Sequence, residues 1–195
     1  MEIKIKNKRK PDIRYLYDMK PVIFDKGWLK TAGNFPVYYM YRGVKKKGEL
    51  RYDITVMPPK MLGQEFVKTK GNCNSKNYQE LYLVLKGKAI FLMQKFQGKT
   101  VKNIMASKAA KGEAIIVPPG YYVVSINPSK NILKLGNWVS ERNKNTYKEM
   151  EKFQGAGYYF TKSGWIKNTN YKSLPKLRFE KPLKSLPPNL DFLKN

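Results

Sequence analysis

The chain has 195 residues, of which 39 are Lys or Arg, 14 are Asp or Glu and none is His, so its formal net charge is +25. The absence of histidine excludes a Ser-His-Asp triad and any histidine metal site, and the single cysteine excludes an internal disulfide and a cysteine-cluster zinc site. Hydrophobic residues make up 42% of the chain, which is enough for one globular domain with a hydrophobic core.

Residues 1–11 are predicted to form a basic N-terminal arm that ends at Pro11. Residues 3–10 hold five basic side chains and no acidic one. The arm lacks the apolar stretch of a signal peptide, and no apolar run in the chain approaches the roughly 18 residues that span a bilayer. We therefore expect a cytoplasmic protein that makes no contact with a membrane.

Residues 12–170 are predicted to form one all-β domain. Short runs rich in Val, Ile, Tyr and Phe alternate with turns of Gly, Pro, Asn and Lys, a pattern typical of a β-sandwich or barrel. The predicted strands are residues 37–42, 50–57, 80–86, 89–96, 114–117, 121–126, 132–139 and 158–162. Turns are predicted at residues 86–88, 97–99 and 161–165, and one polar helix is predicted at residues 140–153.

Residues 171–195 are predicted to form a basic, extended C-terminal tail. They contain six basic residues, two acidic residues and four prolines, and their pattern fits neither a strand nor a helix. A segment of this composition has no hydrophobic core of its own.

One motif surrounds the predicted strand at residues 121–126. Residues 112–127 read G(x)5PxG(x)2V(x)3N. This pattern resembles the second motif of the cupin superfamily, G(x)5PxG(x)2H(x)3N, in every fixed position except Val123, where cupins have His.

A second motif lies upstream. Residues 72–87 read NxN(x)5E(x)6G, which resembles the first cupin motif with Asn72 and Asn74 in place of its two histidines and with Glu80 and Gly87 kept. Over residues 10–150, the chain is similar to the archaeal cupin-type phosphoglucose isomerases. Further matching positions are Arg14, Leu16, Asp18, Met19, Asp25, Val37, Tyr38, Thr55, Gly63, Thr69, Lys70, Gly71 and Val117.

The resemblance implies a cupin fold, which is a jelly-roll or double-stranded β-helix barrel, and a homodimer as its usual assembly. It also implies that Asn72, Asn74, Glu80 and Val123 occupy the positions of the metal ligands. Amide oxygens are weak ligands for transition metals and Val cannot bind a metal. We therefore expect a degenerate metal site and no cofactor.

The resemblance places the family's phosphate cradle at Thr55, Thr69 and Gly71. These residues could keep a residual anion or sugar-phosphate site, or they could simply suit strands and a tight backbone. Glu80 could act as a base in a pocket without metal, or it could be a leftover carboxylate bonded to Asn72, Asn74 or a lysine.

The net charge favours a polyanion as the partner of the chain. Lys outnumbers Arg, which suits phosphate neutralisation more than base reading, and no predicted helix is suited to the major groove of DNA. We expect a non-catalytic cupin that binds RNA as a ribosome-associated or ribonucleoprotein component, with DNA or an acidic protein as alternative partners. The predicted nucleic-acid contacts are Lys4, Lys6, Lys8, Arg9, Lys10, Lys172, Lys176, Arg178, Lys181 and Lys184.

A second hypothesis assigns the chain to a different class of protein. It is a metal-independent sugar-phosphate isomerase, or a sugar-phosphate-binding protein, of the glucose-6-phosphate isomerase cupin type. In this hypothesis Thr55, Thr69 and Gly71 hold the phosphate and Glu80 is the catalytic residue.

Overall fold

The computed structural model describes residues 10–75 and 78–194, which fold mainly into strands. The strands are β1 (Asp12–Tyr15), β2 (Pro36–Lys47), β3 (Leu50–Met57), β4 (Met61–Leu62), β5 (Glu65–Phe66), β6 (Asn72–Asn74), β7 (Glu80–Lys86), β8 (Lys88–Gln97), β9 (Thr100–Ala110), β10 (Ala114–Val117), β11 (Tyr121–Ile126), β12 (Leu133–Ser140), β13 (Asn145–Thr146), β14 (Tyr158–Thr161), β15 (Gly164–Lys167) and β16 (Arg178–Glu180). The helices are α1 (Leu16–Met19), α2 (Lys26–Thr31) and α3 (Lys148–Lys152), with 3-10 turns at Lys20–Val22 and Asp191–Leu193. Within the described ranges, no helix has the length and apolar character needed to cross a membrane.

Two six-stranded sheets form the body of the molecule. The first has the strand order β1-β2-β3-β12-β7-β10 and the second has the order β13-β6-β11-β8-β9-β16. One continuous hydrophobic core joins them, and Tyr82 of the first sheet packs against Phe91 of the second with ring centroids 5.4 Å apart. The predicted all-β, jelly-roll cupin fold is confirmed.

The strand prediction differs from the structure mainly at β9. Its sequence, TVKNIMASKAA, is rich in Lys, Ala, Asn and Ser, which are uncommon in strands, so the sequence pattern did not predict it. Strand β9 is stabilised by its pairing with β8 along its whole length. The register begins with Ala110 opposite Lys88 and ends with Thr100 opposite Gln97. The predicted turn at residues 97–99 is the connection of this hairpin, whereas the turn at residues 86–88 links strands of opposite sheets.

The predicted helix at residues 140–153 is wrong in extent. Strand β12 continues to Ser140, β13 pairs with β6, and only Lys148–Lys152 is helical. The physical reason is the buried side chain of Asn143, which accepts a hydrogen bond from the Ser75 backbone N–H at 3.0 Å and donates to Asn74 Oδ1 at 3.0 Å. Backbone groups of the loop are paired outside it as well, since the Glu141 N–H donates to the Glu49 carbonyl oxygen and the Lys144 carbonyl oxygen accepts from the Ser75 N–H, both at 2.8 Å.

A buried ion pair fixes the N-terminal segment to the body. Lys68 Nζ lies 2.7 Å from Glu65 Oε2 and also donates to the Val22 carbonyl oxygen at 2.7 Å, while Glu65 Oε1 accepts from the Phe24 N–H at 2.8 Å. Glu65 is 0% exposed and Lys68 is 6% exposed. Each charge therefore has its partner and further hydrogen bonds, which burial of an ion pair requires.

The C-terminal tail packs along the two sheets. Strand β16 pairs in parallel with β9, and Leu183 pairs with Ala114 at the edge of the first sheet. Further along, Leu190 and Leu193 are buried against Leu50 and Leu81, on the outer side of the first sheet. The tail has no core of its own and uses the surface of the β domain instead.

Removing the Glu65 carboxylate should destabilise the fold strongly, because it leaves the Lys68 ammonium buried without its partner. We expect Glu65→Ala to lower the free energy of unfolding by about 3–5 kcal/mol in urea denaturation. The matched control is Glu141→Ala, which breaks the exposed Lys46–Glu141 pair and should cost less than about 1 kcal/mol. Equal losses in the two variants would contradict the importance assigned to the buried pair.

Candidate functional site

A cavity opens between the two sheets, close to the motif residues. Thr55, Thr69, Gly71, Asn72 and Glu80, all named from the sequence, line this one space. The other lining residues are Tyr38, Met40, Arg42, Arg51, Asp53, Tyr82, Ser125, Leu135, Asn137, Asn145 and Tyr147. The cavity volume is about 50 Å³. Of the predicted site residues, Asn74 and Val123 lie outside this lining.

Strand register explains why residues so far apart in the chain meet here. Asn137 of β12 lies opposite Asp53 of β3 on one side and opposite Tyr82 of β7 on the other. Directly paired residues of antiparallel strands project to the same face of a sheet. A polar row therefore crosses three strands of the first sheet and faces the cavity.

Glu80 is the central acidic group of the site. Its side chain is enclosed, with a residue exposure of 5%, and Oε1 accepts a hydrogen bond from Asn137 Nδ2 at 2.6 Å. Oε2 has no hydrogen-bond partner among the described residues. Burial raises the pKa of Glu80 to about 7, and the nearby Tyr82 hydroxyl limits that rise. The hydrogen-bond partner of Glu80 is Asn137, which the sequence did not identify. Of the expected partners Asn72, Asn74 and a lysine, Asn74 is close enough to lower the pKa of Glu80.

Two arginines bring positive charge to the cavity. Arg51 Nε lies 3.1 Å from Asp53 Oδ2, and Arg42 Nη1 lies 3.5 Å from the same oxygen. Asp53 Oδ1 accepts the Gly43 backbone N–H at 2.7 Å, so this buried carboxylate is held by three donors. Because the contact with Asp53 uses only Nε of Arg51, the outer nitrogens of that guanidinium can serve an anion in the cavity.

Two of the three predicted phosphate residues, Thr69 and Gly71, lie on the side of the cavity next to β11, and Thr55 lies on β3. Thr69 Oγ1 accepts the Ser125 backbone N–H at 3.0 Å, which ties the loop to β11. Gly71 has φ +85°, and a Cβ there would lie 2.8 Å from Val124 Cγ2, so the position requires glycine. Lys70 Nζ pairs with Glu151 Oε1 at 2.6 Å, so its charge is directed to α3.

The family resemblance implies a metal ion, and the residues present do not fit one. Asn72 lies opposite Val123 across β6 and β11, so these two positions share one face of the sheet, but Val123 offers no donor. Asn74 is also committed, since its Oδ1 accepts from Asn143 and its Nδ2 donates to the Tyr78 carbonyl oxygen at 3.3 Å. Residues 10–75 and 78–194 contain no cluster of three or more His, Cys, Asp or Glu side chains that could hold a metal.

Several residues of the site could not be identified from the sequence. Arg51 and Asp53 alternate with apolar residues along β3, so they resemble solvent-facing positions. Arg42 and Asn137 are single polar residues in mainly apolar stretches of β2 and β12, and Tyr82 resembles a core residue in the apolar run of β7. The only available signal was their shared register, which requires the strand order.

The described lysines and arginines that were predicted to bind nucleic acid are not among the lining residues of the cavity. Lys4, Lys6, Lys8 and Arg9 fall outside the described residues. Those that are described are exposed, and they are Lys10, Lys172, Lys176, Arg178, Lys181 and Lys184. Lys184 Nζ lies 2.6 Å from Glu113 Oε1.

Archaeal proteins are similar to this chain in sequence. The glucose-6-phosphate isomerase of Thermococcus litoralis is 34% identical over 124 residues, which cover 60% of this chain and 63% of that protein. The glucose-6-phosphate isomerase of Pyrococcus furiosus is 32% identical over 124 residues, with 60% and 64% of the two chains covered. The chain thus spans a little over six tenths of the length of these relatives.

Solved structures that resemble the chain include cupins. The Cnp3 cupin domain of Schizosaccharomyces pombe matches 66% of this chain and 79% of its own, with 15% identity and a TM-score of 0.40. Oxalate oxidase in complex with the substrate analogue glycolate matches 61% of this chain and 60% of its own, with 14% identity and a TM-score of 0.47.

The relatives overturn the principal functional expectation. A non-catalytic, RNA-binding or ribosome-associated protein was expected from the charge of +25, but the relatives carry the name of an isomerase and nothing connects the chain to RNA. The expectation that the chain is not an enzyme is wrong for the same reason. Net charge reports on solubility and on nonspecific attraction, and it does not identify a site.

A family model describes most of the chain. It is the model of glucose-6-phosphate isomerase, and it matches residues 13–176, which include both motifs, the cavity and all strands from β2 to β15. The chain therefore belongs to the glucose-6-phosphate isomerase family.

Proposed function

We propose that this chain is a sugar-phosphate isomerase that interconverts glucose 6-phosphate and fructose 6-phosphate without a metal ion, with Glu80 as its base. The substrate follows from the name that its relatives carry. The observation that supports the chemistry is the Glu80 carboxylate, which has one oxygen fixed by Asn137 and the other without a partner among the described residues.

Glu80 carries the proton transfer in this proposal. Its carboxylate takes the proton from the carbon next to the substrate carbonyl, and the bonding electrons of that C–H bond form the enediolate. The proton then returns to the neighbouring carbon, and a proton moves between the two oxygens, so the product is an isomer and no atom is gained or lost. A base with a pKa near the working pH serves both transfers.

Two other groups can stabilise the negative charge of the enediolate. Burial raises the pKa of Tyr82 well above its ordinary value, so its hydroxyl remains a hydrogen-bond donor. The outer nitrogens of Arg51 supply a fixed positive charge at the same cavity. Thr55, Thr69 and Gly71 are the proposed phosphate-binding residues, with Thr55 on the same sheet as Arg51 and with Thr69 and Gly71 next to β11.

The size of the cavity sets a further requirement. A volume of about 50 Å³ holds a few water molecules and is too small for a hexose phosphate. Substrate binding therefore requires side chains at the cavity to move apart. Arg42 has more room to move than Arg51 or Asp53, because its side chain is 38% exposed, against 21% and 5% for theirs.

Replacing the proposed base should abolish turnover while the fold is kept. We expect Glu80→Gln to lower kcat for fructose 6-phosphate formation by at least about 100-fold, because the amide cannot take a proton. The control is Glu141→Gln, which changes an exposed carboxylate and should leave kcat unaltered. Binding of glucose 6-phosphate by the unaltered chain without any turnover would support a binding protein and contradict the isomerase.

The pH dependence should follow the ionisation of Glu80. Only the carboxylate form is a base, so kcat/KM should fall as the pH drops below about 7 and level off above it. Asn137→Ala removes the hydrogen-bond donor to Glu80 Oε1, which disfavours the carboxylate form of Glu80. The fall in kcat/KM should therefore occur at higher pH in this variant. Carbon-13 NMR of the Glu80 carboxyl measures the same shift without substrate, and an unshifted titration in the variant would contradict the role of Asn137.

The isomerase should not depend on a metal. Dialysis against EDTA should leave kcat unchanged, because the positions of the family's ligands do not form a coordination shell here. Restoring imidazoles in the triple variant Asn72→His, Asn74→His and Val123→His should create a site that takes up one Mn²⁺ in calorimetry, since Asn72 and Val123 are directly opposite. A folded triple variant that binds no metal would show that these side chains do not converge.

A further inference from the structure

A second space lies on the outside of the second sheet, and we call it the side groove. It is bounded by the Lys88 end of β8, the Ala110 end of β9, and the hairpin formed by β14 and β15. Its volume is about 450 Å³, within the range of small-molecule sites. It shares no lining residue with the cavity that contains Glu80, so it is a separate feature of the molecule.

The interior of the side groove is mainly apolar and includes two aromatic side chains. Ile90 lies in its lining and is 2% exposed. The rings of Phe66 and Phe160 stack with centroids 5.4 Å apart and an interplanar angle of 24°. Aromatic side chains in a lining favour an aromatic ligand, because ring–ring contacts add to the burial of apolar area.

Three exposed lysines stand among the lining residues of the side groove. They are Lys88, Lys108 and Lys162. Register explains two of them, since Lys88 lies opposite Ala110 and Lys108 lies opposite Ile90, so both project from the same face of the hairpin. In the part of the chain that the structure describes, none of the three pairs with a carboxylate.

The acidic residue of the side groove does not offset these charges. Glu113 Oε1 is paired with Lys184 at 2.6 Å, and its Oε2 accepts the Ala110 backbone N–H at 2.9 Å. The carboxylate is therefore directed to the tail and to the end of β9. The side groove keeps an excess of positive charge around apolar walls.

We propose that the side groove binds a small, planar, mainly apolar molecule that carries one acidic group. The apolar body would pack on Ile90 and on the stacked rings of Phe66 and Phe160, and the acidic group would be held by the three lysines. This inference does not depend on the proposed isomerase, because the two sites share no lining residue.

The experiment compares two probes of the same shape, 2-naphthoate and the uncharged 2-naphthamide, with the full chain. Binding is followed by the methyl NMR signals of Ile90, Ala109 and Ala110, all of which line the side groove. We expect 2-naphthoate to shift these signals and to bind about tenfold more tightly than the amide, given the modest contribution of each exposed charge. Saturating glucose 6-phosphate should not displace it.

Matched variants distinguish a built site from general attraction to a basic protein. The triple variant Lys88→Gln, Lys108→Gln and Lys162→Gln should bind the two probes equally. The control variant Lys30→Gln, Lys148→Gln and Lys172→Gln removes the same charge from exposed lysines elsewhere and should keep the preference for the acid. The proposal is overturned by equal affinity of the two probes for the unaltered chain, by shifts outside the side groove alone, or by an equal loss in both triple variants.

Discussion

A carboxylate enclosed by protein, with one oxygen bonded and the other unpartnered, is the feature around which the first sheet is arranged. Burying a charged group is unfavourable unless partners compensate it, and Glu80 has Asn137 as its one hydrogen-bond donor among the described residues. Its pKa of about 7 in the folded chain lies above the ordinary value of 4.5. As the pH rises through this interval, the folded state therefore loses about 3 kcal/mol of stability through this group, a cost typical of functional sites.

Most of the strands could be predicted because runs rich in Val, Ile, Tyr and Phe are separated by turn residues. Residues 50–57 and 121–126 are such runs, and the structure confirms them as β3 and β11. Strand β9 could not be predicted in this way, because Ala106, Ser107 and Ala109 are small and the strand depends on its partner β8. The structure of the loop around Asn143 could not be predicted for a related reason, since its hydrogen bonds join residues about 70 positions apart.

Only the site residues that match a known family could be predicted from the sequence. Thr55, Thr69, Gly71, Asn72 and Glu80 were found from their resemblance to a family, and the structure places all five at one cavity. The row of Asp53, Asn137 and Tyr82 has no signature in the sequence, because the three residues lie on three strands and meet only through the strand order. Charge misled the functional interpretation, since +25 describes the surface, whereas the chemistry depends on a few enclosed groups.

The attachment of β16 to β9 has a consequence for how the molecules behave in concentrated solution. Without β16, the edge of β9 would present unpaired N–H and C=O groups. Strands of neighbouring molecules can pair with such groups, and this pairing often leads to aggregation. The tail occupies the positions next to Met105, Ala106 and Ser107, and it does so with the charged residues Arg178 and Glu180. The chain thus shields one border of its second sheet with its own C-terminal residues, and mutual repulsion between highly cationic molecules acts in the same direction.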